Sequence, residues 1–451
     1  MAERFRFIPP LVGKALVIGF LIVLLLVPLS QVESLVGERV GMRQTAALRV
    51  AESWGGVQTT AGVLLAIPVD TVRTVYTNRT EMDRHILYVL PDTLKITADA
   101  DPGYRPVGLY QTPVYTSHVQ ISGEFVNRDF AQLLTERQGQ EVKWAEAHLL
   151  VLNSESRALR AVDDLEVAGE RLQVSADGYA GSAGISTSVP LTALREGSTI
   201  PFRMKLTLAG SSQLRFLPLA RKAEIDIRSK WPHPSFEGAP APLDPVITAQ
   251  GFSARWSVLE INRNFGQSWY DHEVRAGLPA EAAFAQSAVG VTFYEPVDVY
   301  QRNYRAVHYA VLLIVITFLT FFLWEHMSGI AIHGMQYLMV GLALALFYLL
   351  LLALSEHMSF DVAYAISAGS LVGLITVYLT GVLRRLPLAL GAGAGLATLY
   401  TMLYWILRSE DYSLLMGSLL LFGVLATLMI ATRHIDWSNV VRLQRDAEAK
   451  E

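Results

Sequence analysis

Long apolar runs constrain the fold of this sequence more than any other feature. Five of them cover residues 307–324, 334–354, 362–383, 386–407 and 412–431, and a sixth covers residues 11–29. An α-helix needs about 20 apolar residues to cross the roughly 30 Å hydrocarbon core of a bilayer. The sequence therefore predicts six transmembrane helices: an N-terminal anchor within residues 1–30 and a five-helix bundle within residues 307–432.

Residues 31–306, between the first and second runs, have the composition of a soluble domain. Residues 31–54 mix apolar and charged positions in a helical pattern, which predicts a stalk that continues the first membrane helix. After Gly55 and Gly56 the chain changes to short runs such as 202–208, where apolar and polar residues alternate as in a half-buried strand. We expect a large, mainly-β domain, an antiparallel β-sandwich, with one helix near residues 129–135.

The basic residues in the short loops and tails predict the orientation in the membrane. Arg4 and Arg6 precede the N-terminal run, Arg384 and Arg385 separate the runs 362–383 and 386–407, and the tail over residues 433–451 contains Arg433, Arg442, Arg445 and Lys450. Since cytoplasmic loops carry the excess of Lys and Arg, both termini are expected in the cytoplasm. In a bacterial inner membrane, residues 31–306 would then be periplasmic.

Composition and motifs limit the class of function. The net charge of -4 and the lack of basic clusters argue against a nucleic-acid partner, and the absence of cysteine excludes disulfides. No nucleotide-binding, nucleophile-elbow, zinc-protease or paired-cysteine motif is present. We therefore predict no catalytic, cofactor or metal residues, and the lipid bilayer is the one partner that the sequence predicts directly.

One soluble stretch is a candidate recognition loop. Prolines flank His233, with Trp231 and Phe236 on either side, and Trp256 follows in a nearby run. Exposed aromatic rings there would suit stacking on a glycan or binding an extended peptide. The competing interpretation is a rigid crossover between sheets that packs on its own aromatic residues.

Polar residues near the ends of the apolar runs form a second candidate. Glu356, His357 and Asp361 lie together at the predicted outer edge of the membrane, where a proton or metal site is conceivable. The alternative is a capped and solvated loop. Lys14 lies close enough to the end of the first run for its ammonium group to reach water.

Glycines inside the apolar runs indicate how helices pack. Gly369 with Gly373, and Gly391 with Gly395, have the small-xxx-small spacing that lets membrane helices approach closely. We expect close helix contacts at both pairs.

Several stretches together resemble the CreD family of bacterial inner-membrane proteins. They are 230–238 (KWPHPSFEG), 251–256 (GFSARW), Asn262 with Arg263, 293–301 (FYEPVDVYQ), 317–324, 333–357 and 55–68. The resemblance spans nearly the whole chain in order. It implies a cell-envelope integrity protein, controlled by a two-component system, with effects on colicin tolerance and on the response to β-lactam stress. No catalytic residue or cofactor is implied.

Three functional hypotheses follow. The first is a non-enzymatic protein that supports envelope integrity, whose periplasmic domain binds or senses an envelope component or a protein partner while the helices anchor it or relay the signal. The second, by analogy of layout alone, is an insertase-like factor that handles lipids or proteins, which would need a positively charged, water-filled groove. The third is an enzyme that uses Glu356 and His357 on a lipid-linked substrate.

Overall fold

The computed structural model describes residues 10–75, 79–126, 140–175, 184–189, 199–263, 265–271, 284, 286–293, 299–328, 332–383, 385–409 and 413–433. The chain divides into two compact units. Met1–Met42 with Val297–Glu451 form what we call the helical unit, and Arg43–Pro296 form the β unit. The predicted helix near residues 129–135, and all of the tail after Arg433, lie outside the described residues.

The helices are α1 (Pro10–Trp54), α2 (Val299–His308), α3 (Ala310–Ser328), α4 (Gly334–Ser355), α5 (Phe360–Leu383), α6 (Leu386–Arg408) and α7 (Ser413–Thr432). Of the described helices, α1, α4, α5 and α6 are long and apolar enough to cross a membrane. Helices α2 and α3 meet at a 40° bend and provide a fifth span if they are taken as one. In α7 the corresponding apolar segment, Leu415–Thr427, is shorter. The described residues thus contain four or five membrane-spanning candidates, whereas the sequence predicts six.

The predicted glycine contacts are wrong. An added Cβ at Gly369, Gly373, Gly391 or Gly395 would meet no atom within 4 Å, and all four residues are exposed on the surface of the helical unit. The spacing places each pair on one face of its helix, but no described helix packs against that face. Gly391 and Gly395 line an open groove of about 400 Å³ between α3 and α6 instead.

Gly341 of α4 makes the close helix contact that these four glycines lack. A Cβ there would lie 2.3 Å from Cδ1 of Leu25 and 2.8 Å from Cζ of Phe318. Leu25 and Phe318 are buried and belong to α1 and α3. Three helices therefore approach one another at a position that has room for hydrogen only.

We expect Gly341→Leu to destabilise the helical unit by about 1–3 kcal/mol, because the added side chain overpacks this contact. Thermal unfolding of the purified protein in detergent measures the effect. The matched control is Gly373→Leu, which adds the same side chain to an open face and should change stability by less than about 0.5 kcal/mol. Equal losses in the two variants would contradict the assignment of this contact.

The β unit contains seventeen described strands. They are β1 (Gln58–Val75), β2 (Arg79–Val89), β3 (Thr93–Val107), β4 (Tyr110–Val126), β5 (Gln140–Val142), β6 (His148–Asn153), β7 (Leu159–Val167), β8 (Glu170–Arg171), β9 (Gly184–Ser188), β10 (Thr199–Ser211), β11 (Gln213–Leu217), β12 (Lys222–Ser229), β13 (Pro234–Glu237), β14 (Leu243–Thr248), β15 (Gly251–Leu259), β16 (Ser268–Tyr270) and β17 (Val289–Phe293). The mainly-β character expected from the alternating pattern is confirmed.

These strands form two sheets. The first has the order β13-β17-β11-β1-β2-β16, with β5 and β6 also paired to β1, and β9 to β6. The second has the order β14-β15-β12-β3-β4-β10-β7-β8. Most pairs are antiparallel, but β1 runs parallel to β11, and β3 runs parallel to β12. Each sheet is therefore mixed, whereas the sequence predicts a purely antiparallel arrangement, because local alternation carries no information on which distant strands become neighbours.

The core of the β unit is built from one face of strands such as β10. In β10, Phe202, Met204 and Leu206 are buried, whereas Arg203 and Lys205 are exposed, as their alternation predicts. One apolar cluster combines residues of both sheets, including those of β1, β3, β10 and β12. Burial of this cluster is the main stabilising contribution in a chain without cysteine.

An ion-pair group on the first sheet fixes β1 against β2. Arg84 donates hydrogen bonds to both carboxylate oxygens of Asp70, at 2.8 and 3.2 Å, and Nζ of Lys143 lies 3.7 Å away. The Arg84 hydrogen bonds, followed by the two positive charges, hold the pKa of Asp70 below its usual value. The Asp70 side chain thus remains ionised although little of it is exposed.

Candidate functional site

Lys14 lies near the start of α1, and its ammonium group is neutralised inside the helical unit. Nζ forms an ion pair with Oε1 of Glu325 at the end of α3, and donates a hydrogen bond to the carbonyl oxygen of Ile332, 2.8 Å away. The Lys14 side chain is 29% exposed and that of Glu325 only 13%. Because an isolated charge is costly away from water, each group depends on the other.

Glu325 accepts two further hydrogen bonds from the chain that follows α3. The Ile332 N–H lies 3.0 Å from Oε1, and the Tyr337 hydroxyl lies 3.2 Å from Oε2. The Tyr337 ring packs edge-on against Phe318, with ring centroids 5.4 Å apart. We call Lys14, Glu325, Ile332 and Tyr337 the Lys14 junction. Through one carboxylate it joins α1, α3 and the start of α4.

A second junction lies further along α1. Nε of Arg39 is 3.2 Å from Oε1 of Glu356, the residue that follows α4, and the Glu356 side chain is only 9% exposed. Beside it, the buried Asn303 of α2 donates a hydrogen bond of 2.9 Å to Oγ of Ser355. We call Arg39, Glu356, Asn303 and Ser355 the Arg39 junction. It joins α1, α2 and the end of α4.

The two junctions lie on either side of the apolar stretch of α1. Lys14 and Arg39 are 25 positions apart, which corresponds to about 38 Å along a helix with a rise of about 1.5 Å per residue. A bilayer with its head groups is roughly 40–45 Å thick. The spacing places one junction near each surface of a membrane that α1 would cross.

The end of α1 is held within the β unit by a third group, which we call the Trp54 clamp. The guanidinium carbons of Arg105 and Arg160 lie 4.0 and 4.8 Å from the centroid of the Trp54 ring. The Trp54 indole N–H donates to the carbonyl oxygen of Tyr115 at 3.3 Å, and Nη2 of Arg160 donates to the Trp54 carbonyl at 3.1 Å. Cation–π contacts of this kind contribute about 0.5–2 kcal/mol each.

Gly55 is the reason that α1 stops at this clamp. Its φ of 114° lies in the left-handed region, and a Cβ there would be 2.7 Å from the carbonyl oxygen of Ala209. Only glycine can adopt this conformation and approach without a clash. The chain therefore leaves the helix immediately after Trp54 and enters β1.

The structure does not bring the predicted membrane-edge residues together as a ligand set. Glu356 pairs with Arg39, whereas His357 and Asp361 are exposed, and in the described part of the chain no side-chain hydrogen bond or ion pair joins the three. Asp361 lies at the edge of a groove of about 430 Å³ between α5 and α6, which is lined mainly by apolar and aromatic residues. Among the described residues, no group of three or more His, Cys, Asp or Glu could hold a metal ion.

The predicted recognition loop is mostly a packing element. Trp256 is fully buried and Trp231 is 5% exposed, and both belong to the core of the β unit. Phe236 packs edge-on against Trp256 and Phe252, with ring centroids 5.8 and 5.7 Å away. His233 is the exposed member of the set. Because buried rings cannot stack on a ligand, the geometry favours the packed crossover.

Sequence reasoning missed the partners of Lys14 and Glu356. Each helix-end charge is visible in the sequence, but nothing in a single sequence indicates which distant helix supplies the opposite charge. The usable signal was the sign of the charges: α1 carries cations at both ends of its apolar stretch, and α3 and α4 each end near a glutamate, Glu325 and Glu356.

We expect Lys14→Gln and Glu325→Gln each to destabilise the protein by about 1–3 kcal/mol, because either change leaves a poorly exposed charge unpaired. The double variant should lose less than the sum, with a coupling energy above about 1 kcal/mol. Thermal or denaturant unfolding in detergent measures the stability of the unaltered protein, both single variants and the double variant, which completes a double-mutant cycle. Strictly additive losses would show that the two side chains are independent.

Comparisons with known proteins agree with this architecture. The family described as "Inner membrane protein CreD" matches residues 10–438. The Inner membrane protein CreD of Escherichia coli (strain K12) is 32% identical over 438 residues, which cover 95% of this chain and 94% of that protein. A crystal structure of an M1 zinc metallopeptidase from Deinococcus radiodurans shares 9% identity, covers 38% of each chain and has a TM-score of 0.20. That similarity is too low to indicate a common fold.

Proposed function

The chain belongs to the CreD family of inner membrane proteins, and we propose that it supports cell-envelope integrity without being an enzyme. In this proposal the β unit binds or senses an envelope component, and the helical unit anchors it and relays its state. The observation that carries the proposal is helix α1. It runs unbroken from Pro10 to Trp54 and contributes residues to both units.

The proposal includes a definite topology. Six spans, with both termini in the cytoplasm, place residues 31–306 in the periplasm, since the short loops and tails then carry their Lys and Arg on the cytoplasmic side, with Arg408 as the exception. The two sheets would form a periplasmic sandwich around their common apolar cluster. The β unit then has access to the envelope component, and the apolar helices are surrounded by lipid.

The three groups on α1 provide the physical route for the relay. The Trp54 clamp fixes the end of α1 in the β unit, and the Arg39 and Lys14 junctions fix it to the other helices. Pro28 lies within α1, but the helix continues without a break on both sides of it, so we expect a ligand that shifts the clamp to bias the junctions as well. Each junction has discrete partners that can be made or broken, as a two-state element requires.

The geometry favours this role over the insertase-like alternative. An insertase would need a positively charged, hydrated groove within the bilayer. Three grooves that the described helices form, between α3 and α6, between α5 and α6 and between α4 and α5, are lined mainly by apolar residues. An enzymatic role for Glu356 is also less favoured, since Arg39 already neutralises its carboxylate.

We expect Trp54→Ala to abolish the relay while the protein still folds and inserts. In a strain that lacks the chromosomal gene, this variant should restore survival under β-lactam or colicin stress at least about 5-fold less well than the unaltered protein, as a coupling energy of 1 kcal/mol or more implies. The matched control is Trp405→Ala, which removes an indole that is 53% exposed on α6. It should restore survival fully.

The amount of each variant in the membrane fraction must be measured beside survival. Full restoration by Trp54→Ala at normal abundance would contradict the relay, whereas the envelope-integrity role would stand. Failure of the unaltered protein to restore survival would contradict the envelope-integrity role itself.

A further inference from the structure

Helix α2 has the character of a helix at the membrane surface. It carries Arg302, Arg305 and His308 within ten residues, and a 40° bend separates it from the apolar helix α3. Tyr304 of α2 is 45% exposed, as is usual for tyrosines at head-group depth. The chain therefore passes from a cationic helix into hydrocarbon at this bend.

Arg302 and Arg305 lie on one side of α2, and among the described residues neither forms an ion pair. Side chains three positions apart are neighbours on a helix surface. Nε of Arg302 and Nη1 of Arg305 are both buried, and neither has a hydrogen-bond partner in the described part of the chain. The ring of Phe360 lies near Arg302, with 5.5 Å from its centroid to the guanidinium carbon.

Two carboxylates that lie beside α2 in the described part of the chain already have partners. Glu356 pairs with Arg39 at 3.2 Å, and Glu33 lies 3.9 Å from Nε2 of His308. Two neighbouring cations with unused donors repel each other and lose hydrogen bonds that water would otherwise supply. An anion between them removes both costs, and the planar forks of two guanidinium groups match the oxygens of a phosphate.

We propose that Arg302 and Arg305 bind the phosphate group of an anionic phospholipid. The lipid is the appropriate source of the phosphate because α3, immediately beyond the bend, offers an apolar surface along which acyl chains can lie. This proposal rests on the membrane location of the helices and is independent of the relay. The site would fix the depth of the bent pair α2–α3 in the bilayer.

The test is titration of the purified full-length protein in detergent with short-chain phosphatidylglycerol, with binding followed by native mass spectrometry. Arg302→Gln with Arg305→Gln should weaken binding by about tenfold or more. The control is Arg408→Gln, which removes a charge at the end of α6, where Arg408 is exposed and donates to the Tyr404 hydroxyl. It should bind as the unaltered protein does. Equal weakening in the control, or none in the double variant, would overturn the site.

Two measurements on the unaltered protein decide the proposal even if the double variant does not fold. Diacylglycerol with the same acyl chains lacks the phosphate and should bind at least about tenfold more weakly than phosphatidylglycerol. Equal affinity would overturn the role of the phosphate. Inorganic phosphate at the same concentration as the lipid should not displace it, and displacement would overturn the assignment to a lipid.

Discussion

The cost of a charge in a low-dielectric environment governs this structure. Lys14 and Arg39 lie on the helix that links the two units, and neither can be buried without a carboxylate nearby. Glu325 and Glu356 meet that requirement, and because they belong to different helices, each ion pair is also a tertiary contact. Neutralising the cations of α1 therefore determines which helices pack beside it and at which positions along its axis.

The apolar contacts between the junctions follow from this arrangement. With its charges fixed near both ends, α1 places Leu25 against Gly341 of α4 and Phe318 of α3, where any larger side chain would clash. In the β unit the clamp on Trp54 and the left-handed turn at Gly55 fix where the same helix stops. One continuous helix thus has defined partners along its length, which is the property that the proposed relay requires.

Much of the fold is predictable from the sequence, because its strongest signals are local. The apolar runs predict the helices, and alternation in stretches such as 202–208 predicts strands whose buried and exposed residues are as expected. The sequence could not predict the parallel pairings of β1 with β11 and of β3 with β12, or the ion-pair partners of Lys14 and Arg39, since these join residues far apart in the chain.

The glycine pairs illustrate the same limit. Their spacing can be read from the local sequence, but whether a partner helix packs against them cannot. The aromatic residues near His233 resembled a binding surface because sequence does not report burial, and Trp256 is fully buried.

In the proposed relay α1 couples the β unit to the Lys14 junction, and amide hydrogen exchange in the Trp54→Ala variant measures this coupling. The Ile332 amide donates to Glu325, so its exchange reports whether that junction is intact. If α1 couples the two, removing the clamp speeds exchange in peptides that contain Ile332 and Tyr337. This effect would reach the Lys14 junction even though Trp54 lies 40 positions beyond Lys14 on α1. Faster exchange confined to residues around Trp54 and Tyr115, with exchange at Ile332 unchanged, would contradict this coupling along α1.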